Sequence, residues 1–170
     1  QARHIFAPSQ DAAAHLKNRF PELDIVVVEH PDLAGITLPI PAAKPFEADR
    51  PLKIAAIGAL SAIKGADLLE EVALVAAQQN MLLEFHLLGF GYRSLATQPK
   101  AALSVHGGYR EEDLAALLDW LKPDLVWFPA LWPETYSYTL SASLKAGLPV
   151  VAPNLGAFPE RLAGRAWSWV

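Results

Sequence analysis

From Pro51 onward, short runs of apolar residues alternate with longer stretches in which apolar positions recur every third or fourth residue. The runs Leu52 to Ile57, Leu82 to Leu88, Leu103 to His106, Asp124 to Phe128 and Pro149 to Ala152 predict strands, the first two ending at Gly58 and Gly89. Between them, Lys64 to Gln79 sets Leu68, Leu69, Val72, Val75 and Ala76 on one helical face, and Glu111 to Leu121 does the same with Leu114, Leu117, Leu118 and Leu121. A further helix begins near Tyr136 to Tyr138 and stops at Gly147, because Pro149 cannot extend it. A short helix near Pro159 to Leu162 and a last strand over Ala166 to Val170 complete the series. Strands that are apolar along their whole length and alternate with helices predict an α/β fold, a parallel sheet covered on both faces.

Before Pro51 the rhythm differs. Ile5 and Phe6 form a short apolar segment, a helix follows from Ser9 or Gln10 to Phe20, and Asp24 to Val28 reads as a buried strand. Pro31, Pro39, Pro41, Pro45 and Pro51 then mark residues 31–51 as an extended connector rather than a packed element.

In a parallel sheet, ligands bind beyond the carboxyl ends of the strands, where the strand order reverses. Gly58, Gly89, Gly91, Gly107 and Gly108 are expected there, where the lack of a Cβ brings a ligand close to the backbone or simply makes a turn. Three helix starts could face such a cleft, and their charges differ. The one at Arg110 to Asp113 carries three carboxylates and repels a phosphate. Another brings Lys64 to a strand end on a flexible stem, suited to a diphosphate. The third follows Glu134 and bears the hydroxyls of Thr135, Ser137, Thr139, Ser141 and Ser143, with no acid in its first turn. Its unpaired N–H groups are open to an anion, while Glu134, set further along, suits the hydroxyls of a sugar. Together these groups describe a nucleotide-sugar site. The same residues also describe a Ser/Thr-rich helix cap beside a solvated glutamate.

Composition narrows the classes. The chain has 170 residues, 52% hydrophobic and 19% charged, with a net charge of -4, which argues against a nucleic-acid surface. No run of about 18 uncharged apolar residues is present to span a bilayer. Without cysteine there is neither a disulfide framework nor a thiolate metal site, and the five histidines have no partner at ligand spacing, so no metal is expected. A start at Gln1 and a stop in an apolar stretch suggest a piece of a longer protein.

The segments Gly58-Ala59-Leu60-Ser61-Ala62-Ile63-Lys64-Gly65, Leu87-Leu88-Gly89-Phe90-Gly91, Glu134-Thr135-Tyr136-Ser137-Tyr138 and Ala146-Gly147-Leu148-Pro149-Val150-Val151-Ala152, followed by Gly156 and Pro159-Glu160, resemble the donor-binding half of group 1 (family 4) glycosyltransferases. The similarity covers roughly residues 52–165. It implies a Rossmann-like domain of the GT-B arrangement over 52–170, with 1–30 as the end of the N-terminal partner domain and the crossover. The activity implied is retaining transfer from a nucleotide diphosphate sugar to a glycan, lipid or small-molecule acceptor, without metal or other cofactor. Lys64 would neutralise the diphosphate, Glu134 would hold sugar hydroxyls, and backbone N–H groups near Tyr136 to Thr139 would receive the distal phosphate. The base would lie near Gly89 and the turn from Gly107 to Tyr109. Such a protein is expected in the cytoplasm, with any peripheral membrane association left to the missing half and with no turnover from this half alone.

Two positions depart from the family pattern. Ala59 stands where an arginine usually joins the lysine, and Ala142 where a second glutamate usually bonds the ribose. Ser141, Ser143 and Arg93 are the candidate substitutes. The alternatives are a non-catalytic binding or scaffold module of the same fold, a sugar-nucleotide epimerase, and a nicotinamide-binding domain. The last is disfavoured because Gly89-Phe90-Gly91-Tyr92-Arg93-Ser94 lacks the third glycine and does not follow the first strand.

Overall fold

A computed structural model describes residues 4–28, 30–42, 45 and 47–170. A parallel pair, β1 (Ile5–Ala7) and β2 (Ile25–Val27), flanks α1 (Gln10–Arg19). The Ser9 side chain caps this helix by accepting the Ala12 N–H at 3.1 Å. The remaining strands, β3 (Leu52–Leu60), β4 (Leu83–Gly91), β5 (Leu103–Val105), β6 (Leu125–Trp127), β7 (Val150–Val151) and β8 (Ser168–Trp169), form one sheet in the order β5-β4-β3-β6-β7-β8. Every pairing in it is parallel. The helices are α2 (Ala66–Gln78), α3 (Leu114–Leu121), α4 (Tyr138–Lys145) and α5 (Phe158–Leu162).

Alternation along β3 splits the core. Ile54 and Ala56 face the cluster built with Leu69, Ala73 and Ala76 of α2, whereas Ala55 and Ile57 face Leu118, Leu140, Leu144 and Phe158 of α3, α4 and α5. The buried side of α2 is therefore the alanine-rich stripe through Leu69, and Val75 stays 40% exposed. The sequence places Val75 inward because it is apolar; the sheet takes the smaller side chains because they let the helix approach it closely.

The proline-rich stretch packs more than its composition predicts. Pro31–Leu33 makes a turn of 3-10 helix, and Leu33 and Leu38 lie against the α3/α4 side of the core. Arg50 holds Asp124 through two bonds of 2.7 and 2.9 Å, which fastens the end of the connector to the start of β6. Residues 43, 44 and 46 of the expected connector lie outside the described residues. Among the described residues no helix is long and apolar enough to cross a membrane.

His86 on β4 and His106 beyond β5 stack with ring centroids 5.3 Å apart, and His86 Nδ1 lies 3.1 Å from His106 Nε2. Trp120 of α3 meets the edge of His106, while Glu84 lies 3.6 Å from His86 and Lys53 adds a repelling charge. Burial, and then the neighbouring His106, hold the His86 imidazole below its ordinary value; burial does the same to His106. The folded chain thus binds fewer protons at these sites than the unfolded chain. Their contribution to stability is full above the unfolded value of about 6.5 and is lost as the pH falls through it toward the lower folded values. The urea midpoint is expected to fall between pH 7.5 and 5, and less steeply in His106→Gln. A midpoint of equal pH dependence in both proteins would remove the pair as the cause.

Candidate functional site

Strand order locates the crevice. β4 and β5 lie to one side of β3 and β6 to β8 to the other, so the connections turn in opposite directions at the β3/β6 boundary. The loop after β3 carries Lys64, and the loop after β6 carries Glu134. They meet there: Lys64 Nζ lies 3.4 Å from Glu134 Oε1, the lysine side chain half exposed at 50% and the glutamate at 26%. Both line a cavity of about 470 Å³ together with Gly58, Thr135, Tyr136, Ser137, Tyr138 and Thr139.

Backbone contacts fix the two loops. The Leu131 N–H donates to Ile63 O at 2.9 Å, and the position a Cβ would take on Gly65 lies 2.0 Å from Pro129 O. On the other flank Ala157 N–H donates to Glu134 O at 2.8 Å, and a Cβ on Gly156 would stand 2.4 Å from that same oxygen. Gly65 and Gly156 thus leave room for the backbones that carry the lysine and the glutamate. The sequence marks neither as a site residue.

Ser137 caps α4 by accepting the Leu140 N–H at 3.3 Å, with φ of 72°. Among the described residues no acceptor within the chain takes the N–H groups of Ser137, Tyr138 or Thr139. The five hydroxyls read from the sequence separate once wound into a helix. Ser143 is buried and donates to Thr139 O at 2.8 Å, and Ser141 is buried against Arg161 Nη2 at 2.8 Å. Thr135, Ser137 and Thr139 remain at the cavity.

Three further residues gather behind the α4 tip. Tyr136 donates its hydroxyl to Asp32, and its ring lies 3.9 Å from the Arg161 guanidinium carbon and 4.8 Å from the His30 ring. The Tyr138 hydroxyl meets His30 Nε2 at 3.1 Å. Burial alone would raise the Asp32 carboxyl; hydrogen bonds from Ser141, Tyr136 and His30 outweigh it and hold Asp32 below the ordinary carboxylate value. Burial, and then the bond to Asp32, raise the Tyr136 phenol. His30, one of the five histidines without a partner at ligand spacing in the sequence, lines the cavity.

The expected glycines divide. Gly58 and Gly89 are not beyond strand ends but inside β3 and β4, paired with each other, and a Cβ on Gly89 would lie 2.0 Å from Gly58 O. Gly89 thus permits a close strand approach and lines neither cavity described here; Gly107 lines neither as well. Tyr109 and Gly108 line a second cavity of about 1110 Å³, which shares Gly58, Ala59, His30, Tyr138 and Thr139 with the first and reaches Ala142. The two are neighbouring lobes of one cleft.

None of the candidate substitutes for the missing side chains is free. Arg93 is held by Asp67 and Glu70 at 2.5 Å each, and the bonds to Glu70, Tyr92 and Asp67 raise its pKa. Ser141 and Ser143 are committed as described. Among the described residues no three metal-ligating side chains are grouped to hold an ion.

The family model for glycosyl transferases group 1 matches residues 51–167. The chain belongs to this family. No curated protein matches it significantly. Among solved structures, TarM superposes with a TM-score of 0.67 at 17% identity, over 99% of this chain and 33% of that one. The lipopolysaccharide outer core galactosyltransferase WaaB in its apo form gives 0.67 at 16%, over 99% and 48%. A mutant of S. aureus TarM in complex with fondaparinux, alpha-GlcNAc-glycerol and UDP gives 0.60 at 16%, over 94% and 31%. At these identities the likeness establishes the GT-B Rossmann-like fold. This group 1 glycosyltransferase chain spans from a third to a half of the length of those structures.

Proposed function

We propose that this chain is the donor-binding half of a retaining glycosyltransferase that takes its sugar from a nucleotide diphosphate sugar. The observation that carries the reading is the convergence of Lys64, Glu134 and the open N–H groups of the α4 tip on one cavity at the sheet's switch point. The Lys64 ammonium would offset the diphosphate, and the N–H groups would receive the distal phosphate, stabilising the leaving group as the glycosidic bond breaks. Glu134 would accept hydrogen bonds from sugar hydroxyls and orient the ring. The larger lobe, with Tyr109 and Phe90 on its wall, would take the nucleoside. The acceptor and any general base would come from an opposing domain, and the reacting groups would meet on closure.

Calorimetry on the full-length protein tests this with UDP, ADP and GDP sugars, UDP first because a TarM complex contains it. Affinity for one of them, with transfer of the sugar to water or to an acceptor, is expected. A second reading rests on Ala59 and Ala142, whose candidate substitutes are all engaged elsewhere. Under it the cleft is inherited but unused, and no nucleotide binds. Transfer by the 170 residues alone would overturn the need for an opposing domain.

A further inference from the structure

Lys64 is the one lysine or arginine among the described residues that lines the smaller cavity, and it is already paired with Glu134. A diphosphate carries more negative charge than one shared ammonium offsets, so a second source of positive potential is to be sought around the cavity. Arg161, on α5, is close by but lines neither lobe. Its Nη1 donates to Tyr136 O at 2.6 Å and to Ser137 O at 2.8 Å, and its Nη2 to Ser141 Oγ at 2.8 Å, while the guanidinium lies over the Tyr136 ring.

The direction of these bonds matters. C=O and N–H point oppositely across a planar trans peptide. The carbonyls of Tyr136 and Ser137 are drawn to Arg161, so the N–H groups of Ser137 and Tyr138, across the same two peptides, point away from it. These are N–H groups without an acceptor in the described chain. Ser137, a residue with a Cβ, sits at φ 72° and ψ 94°, a conformation that persists only where its surroundings impose it. Arg161 grips the carbonyl on each side of that residue's N–H and Cα.

We infer that Arg161 is a positioning residue for the donor's phosphates: it holds the turn from Tyr136 to Tyr138 in its strained form, aims two N–H groups, and sets behind them a guanidinium whose charge Asp32 and Glu160 partly offset. The inference rests on the donor-site reading given above. It makes Arg161 a partial counterpart, acting from behind the loop, to the rim cation that Ala59 leaves out.

The test uses the full-length protein, the nucleoside diphosphate that binds it best among UDP, ADP and GDP, and the matching nucleoside. In Arg161→Met the diphosphate is expected to bind about 10- to 100-fold more weakly, the usual worth of charge-assisted bonds, with the nucleoside changed less than about 3-fold. Arg161→Lys, which keeps the charge but cannot bridge both carbonyls and the ring, is expected to fall between, and it decides the matter should the methionine variant fail to fold. Amide resonances of Ser137 and Tyr138 should shift on adding inorganic pyrophosphate to the wild type, and at the same concentration shift less in Arg161→Lys and least in Arg161→Met. Unchanged diphosphate affinity, or equal losses for diphosphate and nucleoside, would overturn the inference and leave the donor site standing. Absence of any nucleotide binding by the wild type would instead remove the donor site itself.

Discussion

Glu134→Gln and Lys64→Ala are expected to separate the two halves of the donor. The ammonium and carboxylate are 3.4 Å apart, so each partly neutralises the other. Glu134→Gln frees the lysine and removes a negative charge from the phosphate approach. Affinity for the bare nucleoside diphosphate should therefore hold or rise, while affinity for the nucleotide sugar and kcat should fall by about 100-fold, the worth of charged hydrogen bonds made to the ring. Lys64→Ala should act the other way, weakening both ligands. A unit charge about 4 Å from a phosphate is worth about 4 kcal/mol at the effective dielectric of a protein surface. Half exposure of the lysine and salt screening reduce that to roughly 2 kcal/mol, or about 30-fold in affinity. Calorimetry with diphosphate and nucleotide sugar side by side checks the pattern. Parallel losses for both ligands in Glu134→Gln would show that the glutamate does not touch the sugar.

Much of this site is legible in the sequence, and what is not has identifiable causes. Lys64 and Glu134 can be found because each follows a short apolar run, and the register of a parallel sheet brings such strand ends to one rim. The hydroxyl repeat misleads because alternation has meaning in a strand; on a helix it turns Ser141 and Ser143 inward. Arg161 and Asp32 carry no periodic or motif signal, since their bonds to Tyr136 and Ser141 bridge 20 or more residues of sequence and arise only once α5 and the turn Pro31–Leu33 pack behind α4. The lengths of β3 and β4 are underestimated for a related reason. Glycine ends a predicted strand on propensity, yet Gly58 and Gly89 continue theirs as a pair, and Gly89 lacks the Cβ that would lie 2.0 Å from Gly58 O. Arg93 is available by type but not in fact, since two acids of α2 claim it.

Gly65→Ala is expected to be among the most damaging additions of a single methyl group to this chain. At φ of 84° an alanine costs about 1–2 kcal/mol for conformation alone. The larger cost is contact: its Cβ would stand 2.0 Å from Pro129 O and 2.6 Å from Pro129 C, both backbone atoms of the loop that leads to Glu134. Neither can move without disturbing the Leu131 to Ile63 hydrogen bond, so the loops bearing Lys64 and Glu134 must part or the fold must yield. A destabilisation above about 4 kcal/mol follows, which for a domain of this size lowers Tm by roughly 10 °C or more. Gly107→Ala provides the internal standard, because it has a similar φ of 82° and nothing within 4 Å of the added carbon. It should lose only the conformational part, about 1–2 kcal/mol. Thermal melts of the two variants beside the wild type isolate the contact from the backbone preference. If they melt together, the packing of the lysine loop on the glutamate loop is not what holds the cleft.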